Sequence, residues 1–188
     1  MSAVVERHLW SADEYERLAQ FGFFDEDDRV ELIRGEIVAI SPIGDRHSGC
    51  VNALNELLRD RLGKSVIIAV QNPVRLNNAS EPQPDVGVLR RRADFYRKGH
   101  PIPADVILLI EVSDSTADYD EQVKIPLYAE AAIPEVWIVD LKFGIVSQFA
   151  DPLFGKYRHL TRGRTGDTVT ARTVPNLTLT VDEILGDG

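Results

Sequence analysis

Five consecutive apolar residues, Val106-Ile107-Leu108-Leu109-Ile110, are closed by an acid, Glu111, and followed by Val112. A half-exposed strand alternates apolar and polar side chains, whereas a run apolar on both faces belongs to a strand covered on both sides. Glu135-Val136-Trp137-Ile138-Val139-Asp140 repeats the pattern. Two such strands require a central sheet between helices, which sets the class as mixed α/β.

The remaining elements fit around that sheet. Ser11, with Glu14 three positions on, forms a capping box for a short helix over Asp13–Gln20. Val30–Ile33 and Glu36–Ile40 flank Arg34-Gly35, the pattern of a hairpin. From Arg46 to Leu62 the period becomes helical, with Cys50, Leu54, Leu57, Leu58 and Leu62 on one stripe and Gly63 as the stop. Ser65–Gln71 is strand-like, Pro73–Leu76 is expected to pair with it, and Pro84–Leu89 gives a further strand. The Ser113–Thr116 stretch offers caps for a helix over Ala117–Ala132, which Pro126 should kink or divide. Gly144–Ala150, Lys156–Leu160 and Thr168–Ala171 read as a C-terminal strand meander, and Val181–Leu185 as a final helical turn.

With 188 residues, 44% of them hydrophobic, the chain can bury a sizeable core, and without a repeat or linker it is expected to form one domain over residues 1–188. The N-terminus lacks the basic segment and apolar run of a signal peptide, and no apolar stretch reaches the roughly 18 residues a spanning helix needs. A cytoplasmic protein with no membrane association is the expectation. The lone cysteine, Cys50, excludes a disulfide or a thiolate zinc site within one chain and reads as a buried thiol. There is no Gly-rich phosphate loop and no Gly-x-Ser-x-Gly elbow. A net charge of −9 and a pI near 4.9 argue against a non-specific nucleic-acid coat. They leave room for an enzyme whose metal-holding acids count toward that charge. A local basic patch, Arg90, Arg91, Arg92, Arg97, Lys98 and His100, is either a solvated loop or a phosphate contact.

Three polar residues stand where the fold should be dry. Asp85 opens a strand after Pro82-Gln83-Pro84, Glu111 ends the apolar run, and Lys124 lies 13 positions further on the crossover helix. Carboxylates at the ends of neighbouring buried strands are costly unless a cation meets them, and two of them suit magnesium, which prefers oxygen ligands. A lysine nearby can serve the attacking water or steady the transition state. Asp120, Lys124 and Tyr128 follow at i, i+4 and i+8, on one helix face.

Glu36 is a possible further carboxylate for the metal, and Glu31 is expected to point outward from the hairpin. His47, at the start of the long helix, is a possible phosphate or water contact, although a helix-start histidine without chemical duty is the simpler reading. Gln71 and Gln83 are candidates for lining a cleft. Asp114, Asp118, Asp120 and Glu121 read as acids that favour the positive end of the helix dipole. Tyr128 and Trp137 read as core.

Pro84-Asp85 followed by Glu111-Val112-Ser113 resembles the PD-(D/E)XK signature of restriction-type nucleases. The chain resembles more specifically the bacterial Uma-type restriction endonucleases. The stretches that carry the likeness are 31–37, 82–86, 109–116, 120–128 and 133–140, in the family's order. The resemblance implies a restriction-endonuclease-like fold and a metal-dependent endonuclease that hydrolyses DNA to leave a 5′-phosphate. It implies Mg2+ (or Mn2+) on Asp85 and Glu111, with Asp85, Glu111 and Lys124 as the catalytic set, and a homodimer so that both strands can be cut. The signature's usual lysine position is occupied by Ser113, and the family's alternative lysine on the following helix maps onto Lys124. The competing expectation is a non-catalytic nucleic-acid- or protein-binding module on the same fold.

Overall fold

A computed structural model describes residues 7–25, 28–40 and 44–186. In it the apolar run becomes strand β5 (Val106–Ser113), third in a six-stranded sheet of order β3-β4-β5-β6-β7-β8. Its neighbours are β4 (Val86–Arg90) and β6 (Glu135–Asp140), and β3 (Val66–Val70), β7 (Ile145–Leu153) and β8 (Lys156–Arg164) complete the sheet. Only β5 and β6 run parallel; the other neighbours are antiparallel. A parallel pair needs a crossover connection, and here the helical run between Ala117 and Glu130 supplies it.

Side-chain alternation divides the core between the sheet's two faces. Val86, Val88, Leu108, Ile110, Val112, Trp137 and Val139 face Cys50, Val51, Leu54 and Leu58 of α2 (Asp45–Leu62). The opposite face carries Leu89, Val106, Leu109, Val136 and Ile138, packed against Leu127 and Tyr128 of the crossover. Both faces are therefore dry, as the unbroken apolar run requires. The C-terminal segment adds to the α2 side through β9 (Thr168–Thr170), β10 (Thr178–Thr180) and α5 (Val181–Leu185). β9 and β10 pair with each other, and this last strand carries too short an alternation to be read from the sequence.

Helix α1 (Ala12–Gln20) starts at the expected capping box on Ser11. The hairpin β1 (Val30–Ile33) and β2 (Glu36–Ala39) turns on Arg34 and Gly35, both at positive φ. That pair of angles makes a type I′ turn, whose twist matches the strands it joins. A Cβ on Gly35 would come within 2.8 Å of Leu9 Cβ, so close packing as well as φ calls for glycine.

Two expectations change. Pro73–Leu76 does not pair with β3. Gln71 adopts φ 52° and turns the chain, after which Val74 and Leu76 donate to the carbonyls of Pro82 and Ser80. The helix expected over residues 117–132 is in three parts: α3 (Ala117–Tyr119), a π segment (Asp120–Lys124) and α4 (Ile125–Glu130). Ile125 donates to the carbonyl of Asp120, five residues back. Pro126, which has no N–H to give, follows directly and breaks the regular α ladder there. Among the described residues, no helix is long and apolar enough to cross a membrane.

Candidate active site

The antiparallel register of β4 and β5 pairs Val86 with Ile110. One step further along this ladder, Asp85 and Glu111 stand at the same end of adjacent strands, where the crossover begins. They border a cleft of about 470 Å3 between the β1–β2 hairpin, the start of α2 and the α3–π turn; His47, Glu31, Asp120 and Lys124 also line it.

Glu111 is 3% exposed and Lys124 6%. The lysine Nζ donates to Glu111 Oε1 at 3.2 Å and to Glu31 Oε1 at 3.1 Å. The Tyr128 hydroxyl donates to the same Glu111 oxygen at 2.5 Å. Asp85 is gripped at both oxygens. Its Oδ2 accepts the Val112 N–H at 2.9 Å and lies 3.1 Å from His47 Nε2, while Oδ1 accepts the Gln71 amide at 3.3 Å. Asp120 accepts from the hydroxyls of Ser113 and Thr116. Asp120, Lys124 and Tyr128 thus all serve this site from one helix face, with the π turn between the first two.

The electrostatics are those of a crowded acid pocket. Burial, helped by Asp120, Asp85 and Glu31, pushes the Glu111 carboxyl up to about 8 against the pull of Lys124. Burial also raises Asp120, against the pull of Lys124. It works against the charge of Lys124 too, but Glu111, Glu31 and Asp120 outweigh it and hold the ammonium above its ordinary range. For Asp85 burial is outweighed by the His47 contact, the Val112 N–H and Lys124, so its carboxylate stays below the usual range. Four carboxylates (Glu31, Asp85, Glu111, Asp120) therefore share one lysine and one histidine.

The structure brings Asp85, Glu111, Lys124 and His47 together and leaves Glu36 out. Glu36 lies beside the hairpin turn, exposed, with Arg7 at 3.2 Å. Glu31 reverses the outward orientation expected of it: it is 1% exposed, and its Oε1 accepts the Gln83 N–H at 2.8 Å as well as Lys124. Asp120 and Tyr128 belong to the site rather than only to a helix start and a core. The signal for them was their shared face with Lys124. The basic patch lies beyond the far end of β4 from Asp85, outside the cleft. Arg92 there is bound by Asp94 at 2.7 Å, and Arg91 and Arg92 cover the rings of Phe95 and Tyr96. His47 Nδ1 is buried with no hydrogen-bond partner among the described residues.

Known proteins resemble the chain in two ways. The Uma2 family model, described as "Putative restriction endonuclease", matches residues 12–182. A crystal structure of "a putative nuclease belonging to DUF820" from Anabaena variabilis ATCC 29413 has a similar fold, with a TM-score of 0.70 at 14% identity. The match covers 93% of this chain and 97% of that one. No curated protein sequence matches.

Proposed function

The chain belongs to the Uma2 family, and from that premise we propose that it is a metal-dependent endonuclease that hydrolyses DNA phosphodiester bonds. The convergence of Asp85, Glu111 and Lys124 in one cleft carries the reading. The donor set fits a hard divalent cation: four buried or nearly buried carboxylates face a single lysine and a single histidine, and oxygen ligands suit magnesium, or manganese in its place. Asp85 and Glu111 would hold the ion. When bound, it supplies positive charge at a phosphate oxygen and lowers the pKa of coordinated water.

The chain's own side chains perform the rest. Lys124 is held protonated, so its role is to donate hydrogen bonds to the attacking water and to the charge that grows on the phosphate, not to remove a proton. Glu31 keeps the ammonium at the cleft wall, and Tyr128 fixes the rotamer of Glu111 through Oε1. His47 and Gln71, one on each oxygen, orient Asp85. Cleavage leaves a 5′-phosphate. The active species is a homodimer, one site per strand, in the cytoplasm. The complete Asp85–Glu111–Lys124 set in one cleft weighs against a binding module that has lost catalysis.

Incubation of supercoiled plasmid with the protein and Mg2+ or Mn2+ tests the proposal. The wild type should nick the plasmid, with Asp85→Ala and Lys124→Met inactive while retaining their circular dichroism. Cleavage that persists in both folded variants, or none by the wild type with any metal or DNA form, overturns it.

A further inference from the structure

A second group of ligand-type side chains lies outside the cleft. Glu16 of α1, Glu81 of the segment between β3 and β4, and His100 of the loop before β5 each bring one ligand atom within 4.8 Å of the others. None of the three lines the nuclease cleft. Glu81 is 2% exposed, and its Oε2 has no hydrogen-bond partner among the described residues. Its Oε1 is 3.8 Å from His100 Nε2, too far for a hydrogen bond. The backbone leaves it no way out: Glu81 donates its N–H to the Leu32 carbonyl at 2.7 Å as a bridge to β1. A buried carboxylate oxygen with no donor is costly unless the group takes up a proton or a cation.

We propose that Glu16, Glu81 and His100 form a second, structural cation site that takes a zinc-class divalent ion. The donor set decides the class. One imidazole nitrogen with carboxylate oxygens suits zinc and its borderline neighbours, whereas magnesium favours all-oxygen shells. Three protein ligands leave a position for water on the side where His100 is exposed. Arg75 stands at the rim, 3.4 Å from Glu16 Oε1, but its other Nη is bound to Asp13. The ion would staple together three segments that are otherwise joined by backbone bonds, among them Ala12 N–H to Asn78 O and Arg75 N–H to Pro101 O. It tightens the support beneath β1, the strand that carries Glu31.

Zinc titration by calorimetry, with excess magnesium present to fill the nuclease cleft, tests the assignment independently of cleavage. The wild type should bind zinc, and His100→Ala should lose that binding or weaken it by about tenfold or more. Zinc should raise the melting temperature of the wild type and leave that of His100→Ala unchanged. Glu81→Gln should behave like His100→Ala; if it does not fold, the exposed histidine carries the test. Plasmid nicking by His100→Ala should match the wild type, so failure here is separable from failure of the nuclease reading. Zinc uptake that is absent in the wild type, or equal in wild type and His100→Ala, overturns the proposal.

Discussion

Glu111 and Glu135 sit on neighbouring parallel strands, are equally buried and look alike in the sequence, yet their surroundings differ in kind. Glu135 opens β6 and is saturated by neutral donors. Trp137 Nε1 binds Oε1 at 2.8 Å, and the N–H groups of Arg172 and Thr173 with the Thr173 hydroxyl bind Oε2, each at 2.8 Å. It ties the C-terminal segment to the sheet. Glu111, near the end of β5, has a cation and a phenol on one oxygen and three other acids close by. A buried glutamate is therefore no sign of chemistry by itself. What distinguishes the two is whether the neighbours supply neutral hydrogens or compete for the same positive charge.

The sharpest way to break this contrast is to neutralise each acid in turn. Glu111→Gln should lower DNA cleavage by about 10²–10³-fold, while Glu135→Gln leaves the rate of the folded protein near the wild-type value. Equal losses in plasmid-nicking assays would erase the distinction. Stability should run the other way. Glu135→Ala strands the indole N–H and two backbone N–H groups, at about 1–3 kcal/mol for each donor left unsatisfied, while the Thr173 hydroxyl keeps the Ile107 carbonyl as acceptor. Its melting temperature should fall by roughly 10 °C or more by calorimetry. Tyr128→Phe removes one hydrogen bond to the Glu111 carboxyl and should cost only about 0.5–1.5 kcal/mol.

The smallest effect is a dependence on pH. Glu111 has its folded pKa raised from 4.5 to about 8, so the folded chain binds a proton there that the unfolded chain has released. Its contribution to stability is complete below about pH 4.5 and is lost as pH rises toward 8. Glu81, pushed up to about 7 by burial and then by Glu16, adds to the same slope. Metal-free melts across this window should show stability falling with pH, and Glu111→Gln should reduce the slope without removing it. An unchanged slope would mean that Glu111 is no acid under strain.

The sheet was legible because continuous apolar runs have one physical solution, and Asp85 and Glu111 were legible as acids at the ends of such strands. The roles of Glu31 and Glu36 were not. The register Glu31↔Val38 and Ile33↔Glu36 puts the two acids on the same face of the hairpin, so alternation cannot separate them. Position along the ribbon does: Val38, opposite Glu31, borders the cleft, while Glu36 sits by the turn with Arg7. That difference depends on where the hairpin docks, which is a long-range matter. The π segment was hidden for another reason. Pro126 marks a break in the helix, but the choice between a kink and a wider turn rests on Asp120 and Lys124 both being drawn inward.

The two ion pairs of Lys124 span very different lengths of chain, 13 residues to Glu111 and 93 to Glu31. Closing the longer loop costs about 2 kcal/mol more in chain entropy. The β5–crossover–β6 unit can therefore bring lysine, phenol and Glu111 together early in folding, from neighbouring sequence. The hairpin that carries Glu31 arrives by a longer search. Order of assembly thus draws a line through the cleft, with half of it built locally and the other half docked from a distance.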